Sequence, residues 1–219
     1  MTGELAQLCL MTDAHARAAA ERTDQAGLAP LIARARTGDA GAFEELMICT
    51  QHKVVATAWR LLGDREDARD AAQEVYLRVF KYLARYDPAQ DFHGWLYRIT
   101  LNVCRDAARR RVRAHAGSEW FTAPEREREP AAARPGAHAD AEAATLFAQQ
   151  RALVAQALQT LPAKERAALV LRDLEGLSTE EVASLLRSRP VTVRSQISSA
   201  RAKIKRYCDR LLQKGGRHD

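Results

Sequence analysis

Between Ala114 and Asp140 the chain reads AHAGSEWFTAPEREREPAAARPGAHAD, and no other stretch limits the fold as much. Its three prolines, its many alanines and its interleaved arginine and glutamate cannot bury enough apolar surface to pack. A flexible linker over 114–144 divides the 219 residues into two units, each long enough for a small core. No repeat relates the halves.

Both units carry helical patterning. Only 6% of the residues are aromatic while 47% are hydrophobic and 28% charged, which suits an alanine- and leucine-rich all-α protein better than a sheet protein. Before the linker, apolar periodicity is broken only by turn-and-cap chemistry at TGDAGAF, LGDRED and RYDPAQDF, which predicts four or so helices over 27–113. In the helix predicted over 67–84, Ala68, Ala71, Ala72, Val75, Val79 and Leu83 recur at steps of three and four and form one buried stripe. After the linker, 145–212 forms a second helical domain. Residues 1–26 read as a loosely ordered extension and 213–219 as a tail.

Several function classes find no support. Cys9, Cys49, Cys104 and Cys208 make no C-x-x-C pair, and the six histidines are scattered, so neither a structural metal nor a cofactor is expected. There is no G-x-x-x-x-G-K-S/T, G-x-S-x-G or H-E-x-x-H, which argues against an enzyme. The start lacks a basic segment followed by an apolar core, and no run approaches a membrane span; a cytoplasmic protein with no membrane insertion of its own is expected.

Basic residues exceed acidic ones by six, and their placement is more telling than their sum. In LSTEEVASLLRSRPVTVRSQISSARAKIKRY, Ser178 and Glu181 make a capping box and Pro190 can open a second helix, the pattern of a helix-turn-helix. With Val193, Ile197, Ala200 and Ile204 turned inward, Thr192, Arg194, Ser195, Ser198, Ser199 and Arg201 fall on the other face. Short hydroxyls and arginines suit a DNA major groove, and equally a solvated helix with a basic C-terminal end.

The second basic concentration is WLYRITLNVCRDAARRRVR. Leu96, Ile99, Val103 and Ala107 point inward, leaving the arginines, Arg98, Arg109 and Arg110 among them, and Asn102 mostly outside, with Asp106 the single acid in the stretch. Phe92, Trp95 and Tyr97 at its start fit either a platform for unpaired bases or plugs in the core. On the preceding helix, Asp70, Gln73 and Glu74 are a solvated face or an acidic patch for a basic partner protein.

Taken together, GDAGAFEELM, LLGDREDARDAAQEVYLRVFKYL, FHGWLYRITLNVCRDAARRR and LPAKERAALVLRDLEGLSTEEVASLL resemble, in order and spacing, the bacterial sigma factors of the extracytoplasmic-function group. The resemblance covers about residues 28–113 and 145–210. It implies a domain for core RNA polymerase and the −10 promoter element, and a helix-turn-helix domain for the −35 element. Asp70, Gln73 and Glu74 match the family's D-x-x-Q-E segment, which docks on the polymerase clamp helices. Trp95, Arg98, Asn102, Asp106, Arg109 and Arg110 carry over as −10 contacts, with Trp95 mainly supporting the site. Thr192, Arg194, Ser195, Ser198, Ser199 and Arg201 carry over as −35 contacts. An anti-sigma factor is the further partner the resemblance implies.

Two departures bear on −35 recognition. Relatives usually have glycine where Arg187 stands, and their proline comes one place earlier than Pro190; arginine takes a positive φ at greater cost than glycine. Many relatives also present larger side chains at the positions of Gln196, Ser198 and Ser199, and each good base pairing lost is worth roughly 1–3 kcal/mol. The expected function is therefore a non-enzymatic initiation factor, an alternative and signal-responsive sigma. Its rivals are a stand-alone helix-turn-helix regulator and a sigma-like decoy.

Overall fold

The computed structural model describes residues 27–116 and 153–215. The first stretch contains α1 (residues 27–36), α2 (Ala40–Leu62), α3 (Arg65–Tyr82) and α4 (Phe92–Ala116); the second contains α5 (residues 153–159), α6 (Ala163–Leu169), α7 (Thr179–Leu186) and α8 (Pro190–Gly215). A 3-10 turn, Leu83–Arg85, follows α3, and one turn of π-helix, Val170–Leu174, follows α6. Among the described residues there is no strand. The extension over 1–26 and most of the 114–144 linker lie outside the described residues; α4 runs past Arg113 to Ala116, and α8 runs past Leu212 to Gly215.

Local chemistry sets the helix ends. Asp39 caps α2 by accepting from the Ala42 N–H at 2.9 Å, and Asp64 caps α3 by accepting from Glu66 and Asp67 at 2.8 and 3.0 Å. Between them Gly63 ends α2 with φ 77, a left-handed conformation that lets the chain reverse at once. The expected stripe on α3 is buried at all six positions, and its alanines let α2 and α4 approach closely. Leu46, Val54, Val75, Val79, Phe92 and Val103 are essentially inaccessible, each worth about 1.5–3 kcal/mol of transfer free energy.

The second unit closes on Leu158, Leu169, Val170, Leu171, Val182 and Val193. The capping box forms: the Glu181 N–H donates to Ser178 Oγ at 3.2 Å, and the Ser178 N–H donates to Glu181 Oε2 at 2.6 Å. Val193, Ile197, Ala200 and Ile204 are buried as the periodicity of α8 requires. Arg187, between α7 and α8, adopts φ 51 and ψ 50, so this chain keeps the left-handed turn and imposes it on an arginine.

The two units also pack on each other, a contact that no local pattern of residues predicts. Tyr97 and Leu101 of α4 are buried in the core of the second unit, so α4 has two buried faces. The π turn causes the Glu175 N–H to bond five residues back to Val170 O, and Gly176 at φ 81 then redirects the chain. Glu175, only 6% exposed, accepts from Thr57 Oγ1 (2.9 Å), Arg60 Nη1 (2.6 Å) and the Tyr97 hydroxyl (3.0 Å). Nearby, Arg166 Nη1 donates to the Leu61 carbonyl at 2.6 Å, and burial pulls this guanidinium's pKa down.

Candidate nucleic-acid and polymerase interfaces

On α3 the packed stripe leaves Asp70 and Gln73 exposed and Glu74 half-exposed. Leu77 and Phe80 stand beside them, each 66% exposed, and Phe80 meets Phe43 edge-on at 5.2 Å. Sequence reasoning passed over this apolar pair, although both residues fall off the buried stripe and the same periodicity could have found them. Leu77 and Phe80 thus form an exposed apolar patch rimmed by acidic and amide groups, the kind of patch that marks interaction surfaces.

On α4, Trp95, Arg98, Asn102, Asp106 and Arg109 step by three and four along one face, with Arg110 at its margin. Arg98, Asn102, Arg109 and Arg110 are exposed. Trp95 is half-buried in an aromatic group with Tyr86 and Phe92, at 5.1 and 5.7 Å between ring centroids. Phe92 is a core plug, and the Tyr97 ring is buried against the second unit, so of the three aromatics only Trp95 reaches the arginine face. Asp106 lies 3.4 Å from Arg78, which also holds Glu74 at 2.7 Å. One guanidinium thus joins the α3 and α4 sets.

On α8, Thr192, Arg194, Ser195 and Ser198 are exposed. Arg194 lies 3.4 Å from Glu180, and the other two residues assigned to this face make closer contacts within the protein. Ser199 donates to Glu165 at 3.2 Å, and Arg201 makes a two-pronged pair with Asp173 at 2.7 and 2.8 Å. That carboxylate, 3% exposed, raises the Arg201 pKa through hydrogen bonding first and charge second.

The segments that carry these residues match two family models. The family model for Sigma-70 region 2 matches residues 46–114, and that for Sigma-70, region 4, matches residues 151–204. The RNA polymerase sigma-H factor of Pseudomonas aeruginosa is 35% identical over 188 residues, which cover 84% of this chain and 94% of the relative. The ECF RNA polymerase sigma factor SigE of Mycolicibacterium smegmatis is 37% identical over 178 residues, 78% of this chain and 64% of the relative. The chain belongs to the extracytoplasmic-function sigma factors.

The solved structure of CnrH in complex with the cytosolic domain of CnrY is similar at 27% identity with a TM-score of 0.57, covering 83% of this sigma factor and 96% of CnrH. The region 2 match takes in most of α2 with α3 and nearly all of α4, and the region 4 match runs from before α5 into α8. Among the described residues of the sigma factor, no group of His, Cys, Asp or Glu could hold a metal ion and no helix is long and apolar enough to cross a membrane.

Proposed function

We propose that this sigma factor binds core RNA polymerase through Asp70, Gln73 and Glu74 on α3, with Leu77 and Phe80 as apolar anchors. The domain over 27–113 then presents Arg98, Asn102, Asp106, Arg109 and Arg110 to the −10 element, with Trp95 supporting the site, and assists its opening. The domain over 145–212 reads the −35 element with Thr192, Arg194, Ser195 and Ser198, while Ser199 and Arg201 mainly hold the recognition helix in place. The polymerase does the chemistry, so the sigma factor is not itself an enzyme, and it works in the cytoplasm.

The observation that carries this reading is the acidic-apolar face of α3, where Gln73, Leu77 and Phe80 stay exposed on a helix whose opposite stripe is fully packed. CnrH is held by the cytosolic domain of a second protein. A comparable anti-sigma factor is assigned to this chain, making it an alternative, signal-responsive regulator.

Run-off transcription with core polymerase on pooled, fragmented genomic DNA tests the proposal. Discrete new starts sharing two spaced motifs are expected. Polymerase binding without starts would point to a decoy, and palindromic binding by the free chain to a stand-alone regulator.

A further inference from the structure

We infer that Val191, an apolar residue outside the polar set assigned to the −35 face, reads the C5-methyl group of one thymine in the −35 element and so fixes an A·T pair there. This inference rests on the −35 reading above and adds a base identity to it.

Val191 is 71% exposed, more than any other large apolar side chain among the described residues. A single exposed valine is ordinary, but its place on α8 is not. Val193, two residues on, is fully buried, and at about 100° per residue two steps carry a side chain to nearly the opposite side of a helix. Val191 therefore faces away from the core. Steps of three, four and seven residues lead from it to Arg194, Ser195 and Ser198, all exposed, so the valine heads the same stripe. From Val191 to Ser198 that stripe is about 10 Å long at ~1.5 Å per residue, the rise of about three stacked base pairs.

Arg194 and the two serines can hydrogen-bond to base edges or phosphates, and valine can do neither. The apolar feature of the major groove is the thymine methyl, and recognition helices set their N-terminal residues against the base edges. Helical side chains lean toward the N-terminus, which carries the Val191 methyl groups to the leading end of the stripe. Valine in a helix keeps essentially one χ1 rotamer, so these methyl groups are already fixed and little freedom is lost on contact. Cytosine lacks the methyl and presents an amino donor that valine cannot accept.

Uracil in place of thymine removes the methyl and leaves base pairing and every hydrogen-bonding group intact. With the full chain, core polymerase and a promoter mapped by run-off transcription, each thymine of the −35 element, on either strand, is changed to uracil in turn. One of these changes should lower initiation at limiting holoenzyme by about fourfold, the worth of one buried methyl group. Val191→Ala should cause a similar loss on the thymine promoter and no further loss with uracil at that position. Alanine is the better helix former at this exposed site, and the uracil arm leaves the protein untouched.

Uracil tolerated at every position, or a preferred element without an A·T pair, overturns the inference. A uracil penalty that persists in full in Val191→Ala also overturns it, and a loss common to both templates would put the valine against polymerase instead of a base. Scrambling the whole −35 element separates the two readings. If scrambling silences the promoter while uracil is tolerated, the −35 reading stands and only the methyl contact falls. If scrambling changes nothing, the −35 reading falls and the methyl contact with it.

Discussion

Arg78 donates from Nε to Glu74 Oε1 at 2.7 Å, one turn back on α3, and the same guanidinium lies 3.4 Å from Asp106 on α4. The Glu74 hydrogen bond is the main cause of the raised Arg78 pKa. Both carboxylates are partly exposed, so Arg78→Met should cost under about 1 kcal/mol of stability. Its larger effect should be on function, weakening both polymerase binding and −10 opening because it releases a residue of each set. Gln73→Ala/Glu74→Ala should abolish polymerase binding with an unchanged circular dichroism spectrum. Urea unfolding and a polymerase titration separate the two effects, and unaltered binding in the Gln73/Glu74 variant would remove the docking assignment.

Arg187 holds a left-handed backbone that glycine adopts without strain. Arg187→Gly should raise stability by about 0.5–1 kcal/mol, the strain relief less the greater freedom glycine gains in the unfolded chain. A lower denaturation midpoint would show that the arginine side chain contributes more than its backbone costs.

Arg194 and Arg201 sit two turns apart on α8 and should behave differently. Arg194 is exposed, with only a long 3.4 Å pairing to the exposed Glu180. Arg194→Ala should lower transcription in a manner that depends on the −35 sequence, and a uniform loss would make it a phosphate contact. Arg201→Ala leaves the buried carboxylate of Asp173 unpaired and should destabilise the second domain by about 1–3 kcal/mol, with loss at every promoter.

Burial pushes the Cys104 thiol up to about 12, and burial likewise pushes the Tyr76 hydroxyl up to about 12 against a smaller opposing effect of its Thr50 hydrogen bond. Both groups are held neutral in the fold, so their contribution is intact below the unfolded values near 9 and 10 and is lost as the pH climbs toward 12. Stability should fall on the alkaline side from about pH 9, and maleimide at pH 8 should label exposed Cys49 long before Cys104. Equal labelling rates in the folded protein would contradict the burial of Cys104.

Helices, caps and core stripes were legible because they depend on near neighbours. Ser178 with Glu181, Asp39, Asp64 and the spacing from Ala68 to Leu83 need only a few residues of context. The second buried face of α4 was not legible, since Tyr97 and Leu101 meet a unit that begins beyond the linker. Glu175 in LRDLEGLS reads as a solvated charge, and only partners far along the chain reveal it as buried. The partners of Ser199 and Arg201 were not legible for the same reason, because Glu165 and Asp173 lie on other elements. Leu77 and Phe80 were legible and overlooked.

The last carbonyls of α2 are capped by Arg166 and Gln159 from the other half of the chain. Chimeras that graft a foreign −35 reader onto this chain would thus do more than exchange promoter specificity. A graft without counterparts to Arg166 and Glu175 would leave the Leu61 carbonyl, the Arg60 guanidinium and the Tyr97 hydroxyl without the partners they have in this chain.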